Sequence, residues 1–294
     1  MIPIVLVTGF LGCGKTTLLK RFVAQHRSRR FLYLVNEFNP HDVDGALMRS
    51  EGVEVMAIPG GSLFCNCLVT DFIRTLTDIA KQFPDLEAVI IEASGMANPK
   101  VIERMLVDTK LDGEYRLSQI IAVVDPVSYR KLESALPSLG AQIEAADTIL
   151  INKEDLVSKS VMDECRRAVS RLNSQADVRV AKHCDVEIDL LPDRTPIGLV
   201  GDYAPCRDPS YETFTTEAPI EKAALGQILE RFGDSIYRVK GLIVLSRSLQ
   251  RVEYASGRLE TAPGRHDAPY GLVWVVRGGA GEQIKQALAG AESS

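Results

Sequence analysis

Short apolar runs alternate with stretches of helical spacing through about the first 190 residues of the chain. The helical stretches are Thr17–Gln25, Asp71–Lys81, Pro99–Leu106 and Ser160–Asn173. Each apolar run is short enough to form one buried strand: a run from Ile4, then Phe31–Val35, Val53–Ile58, Leu86–Glu92, Gln119–Val124, Thr148–Ile151 and Val178–Ala181. This alternation predicts an α/β fold in which helices flank a mostly parallel sheet.

The composition changes at residues 192–210, which contain four Pro, two Gly and three Asp. Such a stretch is typical of a linker, so we expect a first domain over 1–195, a linker over 196–210 and a second domain over 211–294. The second domain has the order β-α-β-β-β-α, which predicts a smaller α+β domain with helices on one face of a sheet and Trp274 in its core. Its predicted elements are Tyr211–Thr216, Ile220–Phe232, Tyr237–Leu245, Arg251–Ala255, Gly271–Arg277 and Gln283–Leu288.

Composition and charge are those of an ordinary soluble protein, with 46% hydrophobic and 25% charged residues and a net charge of −5. The acidic balance argues against a general nucleic-acid or membrane-surface binder. No apolar run approaches the roughly 20 residues that span a bilayer. Residues 1–3 lead straight into the first predicted strand, so we expect no signal peptide, a cytoplasmic protein and six reduced cysteines.

The segment after the first apolar run, GFLGCGKT at residues 9–16, matches the phosphate-binding pattern G-x-x-x-x-G-K-[ST] at every fixed position. Glycines allow backbone N–H groups to converge on a phosphate, and the following helix presents its N-terminus to the same anion. Lys15 is expected to contact the β- and γ-phosphates, and the Thr16 hydroxyl to ligate Mg²⁺. The other residues predicted to bind nucleotide here are Gly9, Gly12, Cys13, Gly14 and Thr17.

The tetrapeptide Asn152–Asp155, N-K-E-D, directly follows the apolar run that ends at Ile151. An N-K-x-D loop reads guanine because the Asp155 carboxylate can accept hydrogen bonds from the ring N–H and the exocyclic amine, which adenine cannot offer together. The alternative reading is a turn with a helix N-cap. Its position after a strand, downstream of a phosphate loop, favours guanine recognition by Asn152, Lys153 and Asp155.

Two acidic residues are candidates for the metal ion or the attacking water. Glu92 ends an apolar strand, as in a Walker B arrangement, and Ser94 and Gly95 follow where they could approach the γ-phosphate. Glu37 begins the loop 36–44, where a nucleotide-sensitive switch would lie, and could reach Mg²⁺ or a second metal. Lys15, Glu92 and Glu37 are the candidate catalytic residues. A capping Glu at 92 and a solvated acidic turn at 37 are the alternatives.

Cys65 and Cys67 form a C-x-C pair whose thiols point the same way from an extended segment. As thiolates they could ligate Zn²⁺ or a related soft metal. The alternative is that both are small buried hydrophobic residues. Two thiolates leave a tetrahedral site incomplete, so further ligands would come from Glu37, His41, Cys13, water or another chain.

The order of these motifs resembles the CobW family of P-loop GTPases, a group of metallochaperones. The family's phosphate loop is matched by Gly9–Leu18, its N-E-F-G motif by Asn36–Asn39 and its E-x-S-G-x-A-x-P block by Glu92–Pro99. Its N-K-x-D motif is matched by Asn152–Asp155, and a strand of its C-terminal domain, R-x-K-G-hydrophobic, by Arg238–Leu242. The resemblance therefore covers nearly the whole chain.

The resemblance implies Mg²⁺-dependent GTP hydrolysis coupled to delivery of zinc or cobalt, or to maturation of a metal- or corrinoid-containing enzyme. It also implies that the loop after the strand 178–181 packs against guanine, which assigns His183 and Cys184 to nucleotide binding. The implied partners are GTP and a client metalloenzyme or corrinoid protein. A homodimer is a further hypothesis, and the acidic charge and short apolar runs predict no nucleic-acid or membrane partner.

The sequence departs from the family at its metal motif, G-C-x-C-C. Aligned on Cys65 and Cys67, the chain has Phe64 for the glycine and Leu68 for the third cysteine; aligned instead on the glycine pair at 60–61, it has Ser62 for the first cysteine and only Cys65 in register. Asn39 also stands where the N-E-F-G motif has its glycine. A GTP-dependent chaperone that remodels a client enzyme without binding metal is therefore the main alternative. A P-loop small-molecule kinase is a second alternative, against which the N-K-x-D loop argues.

Overall fold

The computed structural model describes residues 1–37, 54–59, 69–133, 136–192, 199, 201, 211–264 and 270–292. Its backbone contacts divide the chain into two units, Met1–Cys206 and Arg207–Ser294. The linker expected over 196–210 lies outside the described residues except at 199 and 201. The limits 1–195 and 211–294 therefore stay predictions.

The first unit contains a seven-stranded sheet in the order β3-β2-β4-β1-β5-β6-β7, and all of its pairings are parallel. Helices cover strands of this kind on both faces, so central strands read as continuous apolar runs. Such a run is β4, which is buried at each position. The predicted α/β fold is confirmed. The strands are β1 (Ile2–Thr8), β2 (Phe31–Glu37), β3 (Glu54–Pro59), β4 (Ala88–Glu92), β5 (Tyr115–Val124), β6 (Thr148–Ile151) and β7 (Asp177–Val180).

The described helices of this unit include two that the sequence analysis did not predict, α4 (Pro126–Leu132) and α5 (Pro137–Glu144). Both are short and begin with proline, so neither shows a sustained apolar repeat. Turns of 3₁₀ helix occupy Pro99–Val101 and Glu154–Leu156. The helices are α1 (Lys15–Gln25), α2 (Val69–Gln82), α3 (Ile102–Asp108), α4 (Pro126–Leu132), α5 (Pro137–Glu144) and α6 (Lys159–Leu172).

Packing of α1 on the sheet fixes the loop that joins it to β1. Leu18, Leu19 and Phe22 of α1 are fully buried in one cluster with Val5 and Val7 of β1. Burying a large apolar side chain contributes about 1.5–3 kcal/mol, so these contacts hold the helix firmly. The loop 9–14 is thereby held between the carboxyl end of β1 and the N-terminus of α1, where α/β folds bind ligands.

The second unit is an antiparallel sheet in the order β11-β10-β9-β12-β8, with two helices packed on one face. Leu225 and Ile284, from the two helices, share a core with Trp274, which is fully buried and donates from Nε1 to Thr216 Oγ1 at 2.9 Å. The predicted α+β arrangement and core position of Trp274 are confirmed. The elements are β8 (Tyr211–Thr216), α7 (Lys222–Phe232), β9 (Ile236–Leu245), β10 (Ser248–Ala255), β11 (Arg258–Pro263), β12 (Gly271–Arg277) and α8 (Gly281–Glu292).

The predicted order β-α-β-β-β-α was wrong by one strand, because β11 was missed. This edge strand has the sequence RLETAP, with Leu259 as its one large apolar residue and a proline at its end. Within the described residues, the backbone of β11 pairs with β10 on one side. An edge strand of this kind forms because of its tertiary contacts and has no clear sequence pattern of its own.

Replacing Gly241 by alanine should destabilise the second unit. Gly241 has a φ of +155°, and a Cβ there would collide with the carbonyl oxygen of Gly271 on the neighbouring strand. Strain and overpacking together should lower the free energy of unfolding by about 2–4 kcal/mol. Urea unfolding followed by fluorescence of Trp274, the only tryptophan, would measure this.

The matched control is Gly226→Ala, in the middle of α7, where a Cβ meets nothing within 4 Å. Alanine has the higher helix propensity, so this variant should be stabilised by about 0.5–1 kcal/mol. Equal unfolding midpoints for Gly241→Ala and the unaltered protein would contradict the close approach of β9 and β12.

Candidate functional site

Three glycines shape the loop between β1 and α1. Gly9, Gly12 and Gly14 have φ angles of +140°, +74° and +117°, which other residues rarely adopt. A Cβ at Gly9 would strike the Val123 carbonyl oxygen, and one at Gly14 would lie 2.5 Å from Asn152 Nδ2. The loop therefore requires glycine at all three positions for its backbone conformation, and at Gly9 and Gly14 also for its close contacts with Val123 and Asn152.

The Lys15 side chain folds back over this loop and is 6% exposed. Its ammonium group donates to the Gly9 carbonyl at 2.8 Å and to the Phe10 carbonyl at 3.2 Å. An ammonium group has three donors, so beyond these two contacts with described residues one N–H remains for a phosphate oxygen. Thr17, in the first turn of α1, is exposed at the same helix end.

Thr16 and Glu92 bring two oxygen groups together at the start of α1. The Thr16 hydroxyl donates to Glu92 Oε1 at 3.4 Å, although the two residues are 76 positions apart in sequence. Glu92 ends β4, which lies directly beside β1, and is 7% exposed. Hydroxyl and carboxylate oxygens are the hard ligands that Mg²⁺ prefers, so this donor set fits that ion.

The segment after Glu92 packs directly on the phosphate loop. A Cβ at Gly95 would lie 2.7 Å from the backbone nitrogen of Leu11, so only glycine permits this approach. Ser94 is 3% exposed, and its Oγ has no hydrogen-bond partner among the described residues. The predicted γ-phosphate segment is thus next to the phosphate loop, with a buried hydroxyl beside it.

A single buried amide, that of Asn152, joins three parts of the site. Its Nδ2 donates to the Cys13 carbonyl at 3.0 Å, and its Oδ1 accepts from the Cys184 backbone N–H at 2.8 Å. Asn152 is 3% exposed, so both contacts are shielded from water. The phosphate loop, the N-K-x-D loop and the loop after β7 therefore meet at this residue.

Lys153 is held by a residue that the sequence analysis missed, Asp125. Lys153 has a φ of +61°, and its ammonium group lies 2.8 Å from Asp125 Oδ2. Asp125 ends the connection from β5 to α4 and also accepts from the Val127 N–H at 2.9 Å, as a helix cap. The signal in the sequence was an acidic residue directly after an apolar run and before Pro126.

Asp155 lies in the 3₁₀ turn after Lys153 and is exposed. Its carboxylate is therefore accessible to a base bound beside the loop. Asp155 makes no hydrogen bond or ion pair with the phosphate loop among the described contacts. This is expected if the two bind opposite ends of a nucleotide.

The loop after β7 has a strained backbone and a second missed residue, Arg21. His183 and Cys184 have φ angles of +51° and +55°, and each such residue costs of order 1–3 kcal/mol. Arg21 of α1 donates from Nε to the His183 carbonyl at 2.7 Å and lies 2.7 Å from Asp185 Oδ1. The Cys184 thiol contacts the Gly14 carbonyl at 3.4 Å, so α1 and the phosphate loop both hold this loop.

Of the remaining predicted ligands, only Glu37 lies within the described residues. The backbone of Glu37 ends β2, which pairs in parallel with β4, so Glu37 and Glu92 lie at the carboxyl ends of neighbouring strands. Cys65, Cys67 and His41 lie outside the described residues. Within the described ranges, no group of three or more His, Cys, Asp or Glu side chains is placed to hold a metal ion.

Burial keeps the described thiols protonated. It raises the pKa of the Cys184 thiol to about 12, with the neighbouring Cys13 adding to the shift. Burial likewise raises the pKa of Cys13 in the phosphate loop and the pKa of Cys165 in α6, the latter to about 12. These three side chains therefore act as packing groups at neutral pH rather than as thiolate ligands.

Two family models match the chain, one for each unit. Residues 3–180 match the CobW/HypB/UreG nucleotide-binding domain, and residues 211–292 match the cobalamin synthesis protein CobW C-terminal domain. None of the helices within the described ranges is long and apolar enough to cross a membrane.

Curated relatives include a zinc chaperone, YjiA of Escherichia coli, which is 28% identical over 194 residues, covering 65% of this chain and 60% of the relative. Another is the zinc-regulated GTPase metalloprotein activator 1 of Schizosaccharomyces pombe, 28% identical over 60% of this chain and 45% of the relative. The matches thus span about half to three-fifths of these relatives' lengths. The crystal structure of Zn(II)-bound YjiA GTPase from E. coli shares the fold, with a TM-score of 0.50, 21% identity, and coverage of 99% of this chain and 98% of that one.

Cys184 and Cys13 should resist alkylation in the folded protein. At pH 8, a thiol with a pKa near 12 is ionised to about one part in ten thousand, against roughly a quarter for an ordinary cysteine. Iodoacetamide labelling read by peptide mass spectrometry should therefore be at least ~1,000-fold slower at Cys184 than in urea, and it should also be slower at Cys13, because burial raises the pKa of that thiol too. Labelling of Cys184 at the same rate in both states would contradict its burial.

The same shift sets a pH dependence. The pKa of Cys184 is raised in the folded state, so the unfolded chain loses its proton first as the pH rises. The contribution of this thiol to the free energy of unfolding should be fully present below pH ~8.5. It should then decrease between pH ~8.5 and pH 12, by up to about 1.4 kcal/mol per pH unit for each such thiol.

Proposed function

The chain belongs to the CobW/HypB/UreG family of nucleotide-binding proteins, and from this we propose that it binds and hydrolyses GTP. The observation that carries the proposal is the buried Asn152 amide, which joins the phosphate loop to both loops expected around the base. We further propose that the nucleotide state controls the delivery of a metal ion.

Guanine selectivity is assigned to Asp155. Lys153 and Asn152 hold the start of its turn through contacts with Asp125 and Cys13. The exposed Asp155 carboxylate can then accept from the guanine ring N–H and the exocyclic amine. An adenine in the same position would leave this carboxylate without either bond, and the charge would be desolvated at a cost. His183 and Cys184 would form the wall beside the base.

Phosphate binding is assigned to the loop amides, Lys15 and the N-terminus of α1. Lys15 is held at the loop by its two carbonyl contacts, so little side-chain entropy is lost when it meets a phosphate oxygen. Gly95 and the buried Ser94 hydroxyl are proposed to approach the γ-phosphate.

Mg²⁺ would be held by Thr16, with Glu92 beside it as a direct ligand or as the partner of a ligating water. When bound, the ion would neutralise charge on the β- and γ-phosphate oxygens. Glu92 is buried and positioned by the sheet, so it can also orient the attacking water. Glu37, at the end of the adjacent β2, is proposed as a second acid in this role.

The cargo proposed for the chain is zinc, with cobalt as the alternative. Support comes from the names of the relatives, two of which are a zinc chaperone and a zinc-regulated metalloprotein activator. Cys65 and Cys67 are the proposed thiolate ligands. The recipient would be a metal- or corrinoid-containing enzyme, and we expect a homodimer acting in the cytoplasm.

A second candidate function is client remodelling without metal binding. The specific observation that favours it is Leu68, which stands where the family has a third cysteine. With two thiolates only, a four-coordinate zinc site would need ligands from elsewhere.

The guanine assignment predicts a change of base preference in Asp155→Asn. Loss of two charge-assisted hydrogen bonds, about 3 kcal/mol, should weaken GDP binding by roughly 100-fold. Xanthosine diphosphate should bind the variant better, because xanthine has a carbonyl oxygen where guanine has the amine, and the asparagine amide can donate to it. Calorimetry with GDP, ADP and xanthosine diphosphate would measure both effects.

The matched control is Glu154→Gln, which removes an exposed carboxylate from the same turn and should leave all three affinities unchanged. Equal binding of GDP and ADP by the unaltered protein would contradict guanine recognition. GTP hydrolysis with no added phosphate acceptor would exclude the kinase alternative.

The cargo assignment predicts nucleotide-dependent metal binding that requires Cys65 and Cys67. We expect Zn²⁺ and Co²⁺ to bind with different affinities in the presence of a GTP analogue, GDP or no nucleotide. Co²⁺ should give an intense thiolate charge-transfer band, lost in Cys65→Ser and Cys67→Ser but kept in the control Cys206→Ser. Absence of specific binding in every nucleotide state would favour the client-remodelling function instead.

A further inference from the structure

Gln142 is a buried polar residue of α5 that no sequence motif includes. It is 2% exposed, and its Nε2 donates to the Gly95 carbonyl at 3.2 Å and to the Ala97 carbonyl at 3.1 Å. A side-chain amide has two donor hydrogens, so these contacts use both. An unpaired buried polar group costs free energy, so these two hydrogen bonds should persist in the folded protein.

The segment that Gln142 contacts is also fixed from its other side. Gly95 lies against the backbone nitrogen of Leu11 in the phosphate loop, too close for any side chain. The Ala97 N–H donates to the Ser94 carbonyl at 3.1 Å, which closes a turn around Gly95. The backbone of Gly95 is therefore held between the phosphate loop and α5.

The helix that carries Gln142 is itself held at its carboxyl end. Asn173, directly after α6, donates from Nδ2 to the Ile143 carbonyl at 2.9 Å and to the Ala146 carbonyl at 2.8 Å. Gln142 thus projects from a helix whose last turn is fixed to its neighbour. A contact made from such a support can define the position of the segment it touches.

We propose that Gln142 is a positioning residue for recognition of the γ-phosphate. By holding the Gly95 and Ala97 carbonyls, it keeps the Ser94–Ala97 turn against the phosphate loop in the orientation that meets this phosphate. The inference rests on the proposed function, in which Ser94 and Gly95 approach the γ-phosphate of GTP. Because GDP lacks that phosphate, loss of Gln142 should weaken GTP binding and leave GDP binding almost unchanged.

The test compares two substitutions that each remove a buried side-chain amide of the first unit. Gln142→Met keeps the length of the side chain and removes its donors. Gln119→Met, the matched control, makes the same change in β5, where Gln119 is 5% exposed and donates from Nε2 to the Thr148 hydroxyl at 3.1 Å. Both variants lose a buried hydrogen bond and should lose thermal stability, so stability alone does not separate a positioning role from a structural one.

The discriminating measurement is the ratio of dissociation constants for a non-hydrolysable GTP analogue and for GDP, both with Mg²⁺, together with kcat for GTP. Gln142→Met should change this ratio by about tenfold or more against the GTP analogue and should lower kcat, since small misplacements in such sites cost large factors in rate. Gln119→Met should leave the ratio unchanged. Gln142→Asn, which keeps an amide on a shorter chain, should be intermediate, and decides the question if Gln142→Met does not fold.

Three results would overturn the inference. In the first, Gln142→Met and Gln142→Asn weaken both nucleotides equally or weaken neither; in the second, Gln119→Met changes the ratio as much as they do. Either result, obtained while the unaltered protein binds GDP and hydrolyses GTP, removes the role of Gln142 and leaves the proposed function intact. The third is failure of the unaltered protein to bind GDP, which removes the proposed function and with it the inference.

Discussion

The geometry of the site depends on the hydrogen bonds of one buried side chain, Asn152. Its amide donates to the phosphate loop at Cys13 and accepts from the loop after β7 at Cys184. Because the amide is shielded from water, breaking either bond would leave a buried polar group unsatisfied, at about 1–3 kcal/mol. The two ends of a nucleotide site, which come from opposite ends of the unit's sequence, are thus fixed relative to one another by a residue lying between them.

Around Asn152 the backbone is held in conformations that it would not adopt alone. Lys153, His183 and Cys184 are non-glycine residues with positive φ, together costing several kcal/mol. Bonds to Asp125 and Arg21, in addition to Asn152, offset this cost, and bonds involving charged groups contribute about 1.5–3 kcal/mol each. Three of the seven described non-glycine residues with positive φ lie in the loops expected around the base, and the bonds that hold them indicate that the shape of these loops is set before a ligand arrives.

The sequence predicted features whose signal lies within a few neighbouring residues, and it did not predict those that depend on contacts between residues far apart in the chain. The phosphate loop and the parallel strands were predictable because an apolar run or a glycine spacing contains the whole signal within a few residues. Arg21 and Asp125 were missed because each acts on a distant residue: Arg21 contacts His183, 162 positions away, and Asp125 contacts Lys153, 28 positions away. Gln142 was missed for the same reason, since Gly95 lies 47 positions before it.

Two side chains of α5, Gln142 and Glu144, bond to the segment after Glu92, and their surroundings decide which one can carry a signal. Lys100 and Glu144 form an ion pair, but their side chains are 25% and 42% exposed, and such pairs contribute only about 0–1 kcal/mol. The Gln142 bonds are buried, so water cannot replace them when the segment moves. A displacement of Gly95 by a γ-phosphate would therefore have to move Gln142 and α5 or break these bonds. The ion pair, by contrast, could stretch at little cost. If the proposed function holds, the buried amide is a contact through which the nucleotide state could reach the rest of the unit.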